Sequence, residues 1–148
     1  MLEELQDLYQ QVILDHSRSP RNYGVLSTAN RKAQGLNPLC GDSVTLYVKV
    51  ENGRVEEVMF QGAGCAISKA SASLLTESVK GKTPEEVRAL FARVHEMVTT
   101  GKAGSADLGK LAVFTGVHKY PARVKCAILP WHAMLAALEG KDEKVSTE

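Results

Sequence analysis

The chain has no closely spaced pair of cysteines, no apolar run long enough to span a membrane, no strong charge of either sign and no internal repeat. Each absence removes a class of function. Three cysteines, at positions 40, 65 and 126, are an odd number at wide spacing, which argues against a disulfide framework. They also supply none of the C-x2-C pairs from which one loop builds a structural zinc site. Without about 20 consecutive apolar residues no membrane helix is expected, and a net charge of +1 offers no basic face to a nucleic acid. The first residues are acidic (Glu3, Glu4, Asp7) and lack the basic-then-apolar pattern of a secretory signal. Unpaired thiols then point to a reducing compartment, the cytoplasm. What remains is ordinary: 148 residues, 44% hydrophobic and 24% charged, enough for one domain that buries a core without staples.

Periodicity divides the chain into elements. Leu2, Leu5, Leu8, Tyr9, Val12 and Ile13 recur at three- and four-residue spacing and predict an opening helix, ended by Ser17 to Pro20. An edge strand is expected within the polar stretch that follows, near Asn30 to Leu36. Val44, Leu46, Val48 and Val50 alternate with polar neighbours, as in a half-buried strand. Asn52-Gly53 predicts a two-residue hairpin turn, and the returning strand, Arg54 to about Gln61, breaks its alternation at Glu56-Glu57, where a bulge fits. Ala66 to Lys80 reads as a slim helix with Gly81 at its C′ position. Thr83-Pro84-Glu85-Glu86 is a capping box with Pro at the first helical position, followed by an apolar stripe of Val87, Leu90, Phe91, Val94 and Met97. A loop from Thr99 to Ala106 leads to a short helix near Asp107 to Phe114. The last helix ends near Leu138; starting it close to Cys126 places Pro130 in the first turn, where no hydrogen bond is lost. One domain over residues 1–140 and a polar tail over 141–148 are expected.

The chemistry concentrates on four residues. Cys40 and Asp42 flank Gly41 just before a strand, and their i, i+2 spacing sends both side chains to one side of an extended chain. Cys65 follows Gly62-Ala63-Gly64 and opens a helix, where unpaired N–H groups and the macrodipole favour a thiolate. Cys126 is preceded by Lys125, with Arg123 nearby, and cationic neighbours act in the same direction. Taken singly, each is also explained as a core thiol, a glycine turn or a solvated basic face. Together, three thiols at element ends and one carboxylate form the donor set of a four-coordinate zinc or iron site. His16, at the end of the first helix, reads as a cation complementing the dipole. His95, His118 and His132 have no metal-ligand spacing to one another, and His132 reads as a surface histidine. A Cys–His hydrolase would need one activated cysteine and would leave two unexplained.

The residues Cys40-Gly41-Asp42, Gly62 to Cys65 with Ser71-Ala72-Ser73-Leu74 after them, Lys125-Cys126-Ala-Ile-Leu-x-Trp131, Val79 to Lys82 and Tyr9 to His16 resemble the U-type iron–sulfur cluster assembly proteins. The resemblance runs from the first helix to about Leu138. Scaffold-type members of that family carry His directly before the third cysteine and lack the insertion at about Thr99 to Val117, so Lys125 and that insertion resemble the SufU-like branch. The resemblance implies an α+β fold, with a small three-stranded antiparallel sheet, helices packed on one face and a metal site at one end. It implies zinc held by Cys40, Asp42, Cys65 and Cys126, or alternatively iron or a transient [2Fe–2S] cluster. It further implies a cysteine desulfurase as partner, Cys40 as acceptor of its persulfide sulfur, Lys125 in support, and downstream assembly or recipient proteins. Two activities are therefore expected to compete: a zinc-dependent sulfurtransferase and a cluster scaffold. A structural metal domain is a third option.

Overall fold

A computed structural model describes residues 2–38, 41–102, 106–140 and 144–146. Strands β1 (Arg31–Asn37), β2 (Asp42–Glu51) and β3 (Arg54–Ala63) follow helix α1 (Leu2–Arg18). Then come α2 (Ala66–Val79), α3 (Pro84–Thr100), a 3₁₀ segment (Ala106–Lys119), α4 (Pro121–Leu138) and β4 (Lys144–Ser146). The expected three-stranded antiparallel sheet is present, with β2 at its centre. Within the expected polar tail, β4 adds a short fourth strand, parallel to β1.

Local chemistry accounts for most of these elements. Asn52 and Gly53 take φ of 56° and 74°, the left-handed pair that a type I′ hairpin needs. The register slips between Lys49 and Val50, which pair with Glu57 and Val55, so Glu56 is the extra residue of a bulge. Thr83 and Glu86 close the capping box in both directions, and Gly101 ends α3 with φ of 78°. The segment after α3 runs to Lys119, longer than expected, with a kink at Gly109 where the backbone leaves helical geometry.

Packing then fixes what lies near what. Leu46 and Val48 of β2 and Phe60 of β3 meet Leu74 and Leu75 of α2 and Leu129, Trp131 and Met134 of α4 in one core. Asn37 pairs with Asp42, and Ser43 with Ala63. The end of β1, the start of β2 and the end of β3 therefore share one end of the sheet, where α2 begins.

Two expectations are corrected. The last helix begins at Pro121, not near Cys126, because Pro121 takes the first-turn slot. Pro130 thus lies inside the helix and has no N–H to offer the carbonyl of Cys126 four residues earlier. The next carbonyl, of Ala127, accepts from the Ser71 hydroxyl at 2.6 Å.

His16 is the second correction. Its side chain is buried, with Nδ1 2.7 Å from the Ser73 hydroxyl, which also accepts from the main-chain N–H of Arg21 at 2.9 Å. Burial, and then the Arg21 cation, push its pKa below the ordinary 6.5, so it is neutral at neutral pH and no partner of the helix dipole. The unfolded chain therefore binds the proton more readily. The stabilising contribution is complete above about pH 6.5 and falls away as the pH drops toward the folded-state value. Thermal unfolding between about pH 7 and pH 5 should show this loss, with a smaller pH slope in His16→Gln; an unchanged slope would assign the effect elsewhere.

Candidate metal centre

Asp42, Cys65 and Cys126 arrive from three elements and converge: one ligand atom of each lies within 4.8 Å of the other two. Asp42 opens β2 and is 2% exposed. Cys65 is the N-cap of α2, in extended conformation, and is half-buried, in accord with its expected place at a helix start. Cys126 is buried in the second turn of α4, 1% exposed.

The carboxylate of Asp42 has two tasks. Its Oδ1 accepts the main-chain N–H of Cys65 at 2.8 Å, while Oδ2 lies 3.8 Å from the Cys65 sulfur. One oxygen thus fastens the glycine loop to the sheet and the other stays with the sulfur. Gly64 makes this approach possible. Its φ is +146°, and a Cβ there would stand 2.9 Å from the Asp42 Cα and collide with Oδ1. Side-chain-bearing residues rarely adopt that backbone region, so the loop needs glycine twice over.

One neighbour of the sulfurs went unrecognised in the sequence. Asn37, the last residue of β1, is 0% exposed and directs Nδ2 to the Cys126 sulfur at 3.9 Å. The signal was present in the strand's period of two: Ala33, Gly35 and Asn37 are its inward positions, and the third is polar.

Of the other expected participants, one lies beyond the described residues and one is not in the convergent group, and the histidines stay outside it as expected. Cys40 is outside them. Lys125 is half-buried beside Cys126 and forms no ion pair with a described residue. His132 packs edge-on against Phe91, with His95 stacked on the same ring. Burial, and then the nearby His95, lower the pKa of His132. His118 donates from Nδ1 to the Thr115 carbonyl at 2.8 Å. None of these histidines belongs to the convergent group.

The donor set fits a thiophilic ion. Two sulfurs and a carboxylate oxygen are ordinary zinc ligands, and three of them leave room for a fourth. Around one tetrahedral ion with Zn–S near 2.3 Å, sulfurs lie about 3.8 Å apart, so side chains already within 4.8 Å need only small adjustments. The same set suits iron in a thiolate-held cluster.

Over most of its length the chain is similar to several known proteins. The zinc-dependent sulfurtransferase SufU of Bacillus subtilis is 42% identical over 132 residues, covering 88% of each chain. The iron–sulfur cluster assembly scaffold protein IscU of Streptococcus pyogenes is 40% identical, covering 93% of this chain and 87% of its own. Among solved structures, a Fervidobacterium islandicum protein described as a candidate SUF-system assembly scaffold is 34% identical. It superposes with a TM-score of 0.83 over 90% of this chain and 98% of its own. The N-terminal NifU-like protein of Brucella abortus superposes with a TM-score of 0.82 at 26% identity, over 91% and 94%. The model of the NifU-like N terminal domain matches residues 8–127, and the chain accordingly belongs to that family, the U-type iron–sulfur cluster assembly proteins.

Proposed function

We propose that the chain acts in iron–sulfur cluster assembly as a zinc-binding sulfur acceptor, taking sulfur from the persulfide of a cysteine desulfurase in the cytoplasm. The observation that carries this is the meeting of Asp42, Cys65 and Cys126, far apart in sequence, with their ligand atoms within 4.8 Å. Lys125, where scaffold-type relatives have His, supports the SufU-like branch. So does the likeness to the Bacillus subtilis zinc-dependent sulfurtransferase.

Cys40 completes the proposed ligand set with Asp42, Cys65 and Cys126. Zinc bound there supplies a positive charge that keeps the sulfurs as thiolates. Asp42 holds the Cys65 loop through its Oδ1 and keeps Oδ2 beside the sulfur. The Cys40 thiolate attacks the outer sulfur of the partner's persulfide. One S–S bond forms on Cys40 as the partner's S–S bond breaks, the partner's cysteine leaves as thiolate, and no electrons are gained or lost overall. Lys125 places a cation next to Cys126 in the sequence and favours negative sulfur at the site. Downstream assembly or recipient proteins then take the sulfur.

The second reading is a scaffold that builds a transient [2Fe–2S] cluster as cargo on the same ligands. The Streptococcus pyogenes assembly scaffold, at 40% identity, favours it. The rate of alanine release from cysteine by the desulfurase, measured anaerobically with and without the zinc-loaded chain, separates the two. A rise that Cys40→Ala abolishes is the expected result. No rise, with a cluster appearing when iron and sulfide are supplied, would replace the acceptor with the scaffold.

A further inference from the structure

We propose that Asn37 is a positioning residue of the metal centre, donating an N–H···S hydrogen bond that fixes the orientation and charge of the Cys126 sulfur. The inference rests on the reading of Cys126 as a metal ligand. Asn37 and Cys126 are 89 residues apart, yet Nδ2 lies 3.9 Å from Sγ with both side chains buried. Asn37 also pairs across the sheet with Asp42, so a single ladder rung carries a ligand on one strand and the support of a second ligand on the other.

Its environment makes the amide an unexpected choice for packing alone. Neighbouring inward positions of β1 are Ala33 and Gly35, and the residue is 0% exposed. The amide oxygen meets no hydrogen-bond donor among the described residues. Burying an amide is unfavourable unless its hydrogen bonds are made, and an apolar residue of the same shape would avoid that cost. What the amide contributes is a donor aimed at sulfur. A buried thiolate needs such a donor. A neutral one supports negative charge without an added cation, and the amide nitrogen, lacking a basic lone pair, does not compete as a ligand. Supporting hydrogen bonds of this kind orient ligands and hold the metal more firmly.

The test uses cobalt(II) as the probe in the full chain and in Asn37→Leu, an apolar substitution of similar size. Three results are expected in the variant. The sulfur-to-cobalt charge-transfer band moves to lower energy, because the sulfur loses a hydrogen bond that withdrew charge. Metal release to a chelator becomes faster, in line with a loss of affinity of about ten- to a hundredfold. The melting temperature of the metal-free variant stays within about 4 °C of the unsubstituted chain, the shift that ~1 kcal/mol produces in a protein of this size. Asn37→Ala carries the same test if the leucine variant does not fold. An unchanged band and unchanged release overturn the inference and leave the metal centre standing. Loss of the fold in both variants, or an equal fall in melting temperature with and without metal, makes Asn37 purely structural and also overturns it. If the unsubstituted chain shows no sulfur-to-cobalt band at all, the metal-centre reading fails, and the inference with it.

Discussion

Asp42→Asn is expected to fold normally and lose its metal, whereas Asp42→Ala is expected to lose both metal and stability. The difference follows from the two oxygens. Asparagine keeps an acceptor at the Oδ1 position for the Cys65 N–H, which Asp42 now takes at 2.8 Å, but offers no anionic oxygen beside the sulfur. Zinc affinity should therefore fall by at least about a hundredfold, beyond the range for residues that only support ligands. The metal-free asparagine variant should melt no lower than the unsubstituted chain, because a buried carboxylate without its cation is itself unfavourable. Alanine leaves the Cys65 N–H without its acceptor in a part-buried loop, a loss of about 1–3 kcal/mol. That corresponds to roughly 2–12 °C in melting temperature. Competition with a zinc chelator and calorimetry on the metal-free chains measure the two effects separately. Equal zinc affinity in Asp42→Asn and the unsubstituted chain would remove Asp42 from the ligand set. The alanine variant also discriminates between activities: a sulfur acceptor loses its zinc and its stimulation of the desulfurase, while a scaffold, whose cluster the hard carboxylate ligand keeps labile, holds that cluster longer on its thiolates.

The second large effect concerns a residue with no side chain. Gly64→Ala meets two penalties at one position: a φ of +146° and a Cβ placed against the Asp42 carboxylate. Strain of about 1–3 kcal/mol from the backbone and a similar amount from overpacking together make about 2–6 kcal/mol. Melting should drop by roughly 4–24 °C. Zinc binding should fall as well, because the methyl group occupies the space in which Asp42 reaches the Cys65 N–H. Gly53→Ala is the control. Its φ is +74° with open space around the missing Cβ, so only the left-handed strain of about 1–2 kcal/mol applies, and zinc binding should be unaffected. Equal melting temperatures for the two variants would show that the Asp42 contact at Gly64 adds nothing.

Elements governed by local rules were legible in the residues themselves. The alternation of Val44 to Val50, the Asn52-Gly53 turn, the bulge at Glu56 and the capping box at Thr83 each depend on a few adjacent side chains and their preferred backbone angles. The chemistry of the site was legible in the same way, since thiol and carboxylate identities suffice to suggest a thiophilic metal. Helix α4 was not. Its sequence holds a proline suited to the first turn at Pro130, but the helix takes Pro121 there instead and carries Pro130 in its interior. The burial of His16 likewise depends on Ser73, 57 residues away, which no local pattern reveals.

The sequence by itself determined the hairpin strands β2 and β3, their turn, the capped helix and the kinds of atoms available to bind a metal, because these follow from side-chain periodicity and backbone preference over a few residues. Only the tertiary structure decided that Asp42, Cys65 and Cys126 meet, that Asn37 stands behind one sulfur and that Gly64 must remain bare. Those are matters of proximity between distant segments, set by how the end of the sheet, the start of α2 and the second turn of α4 pack against one core.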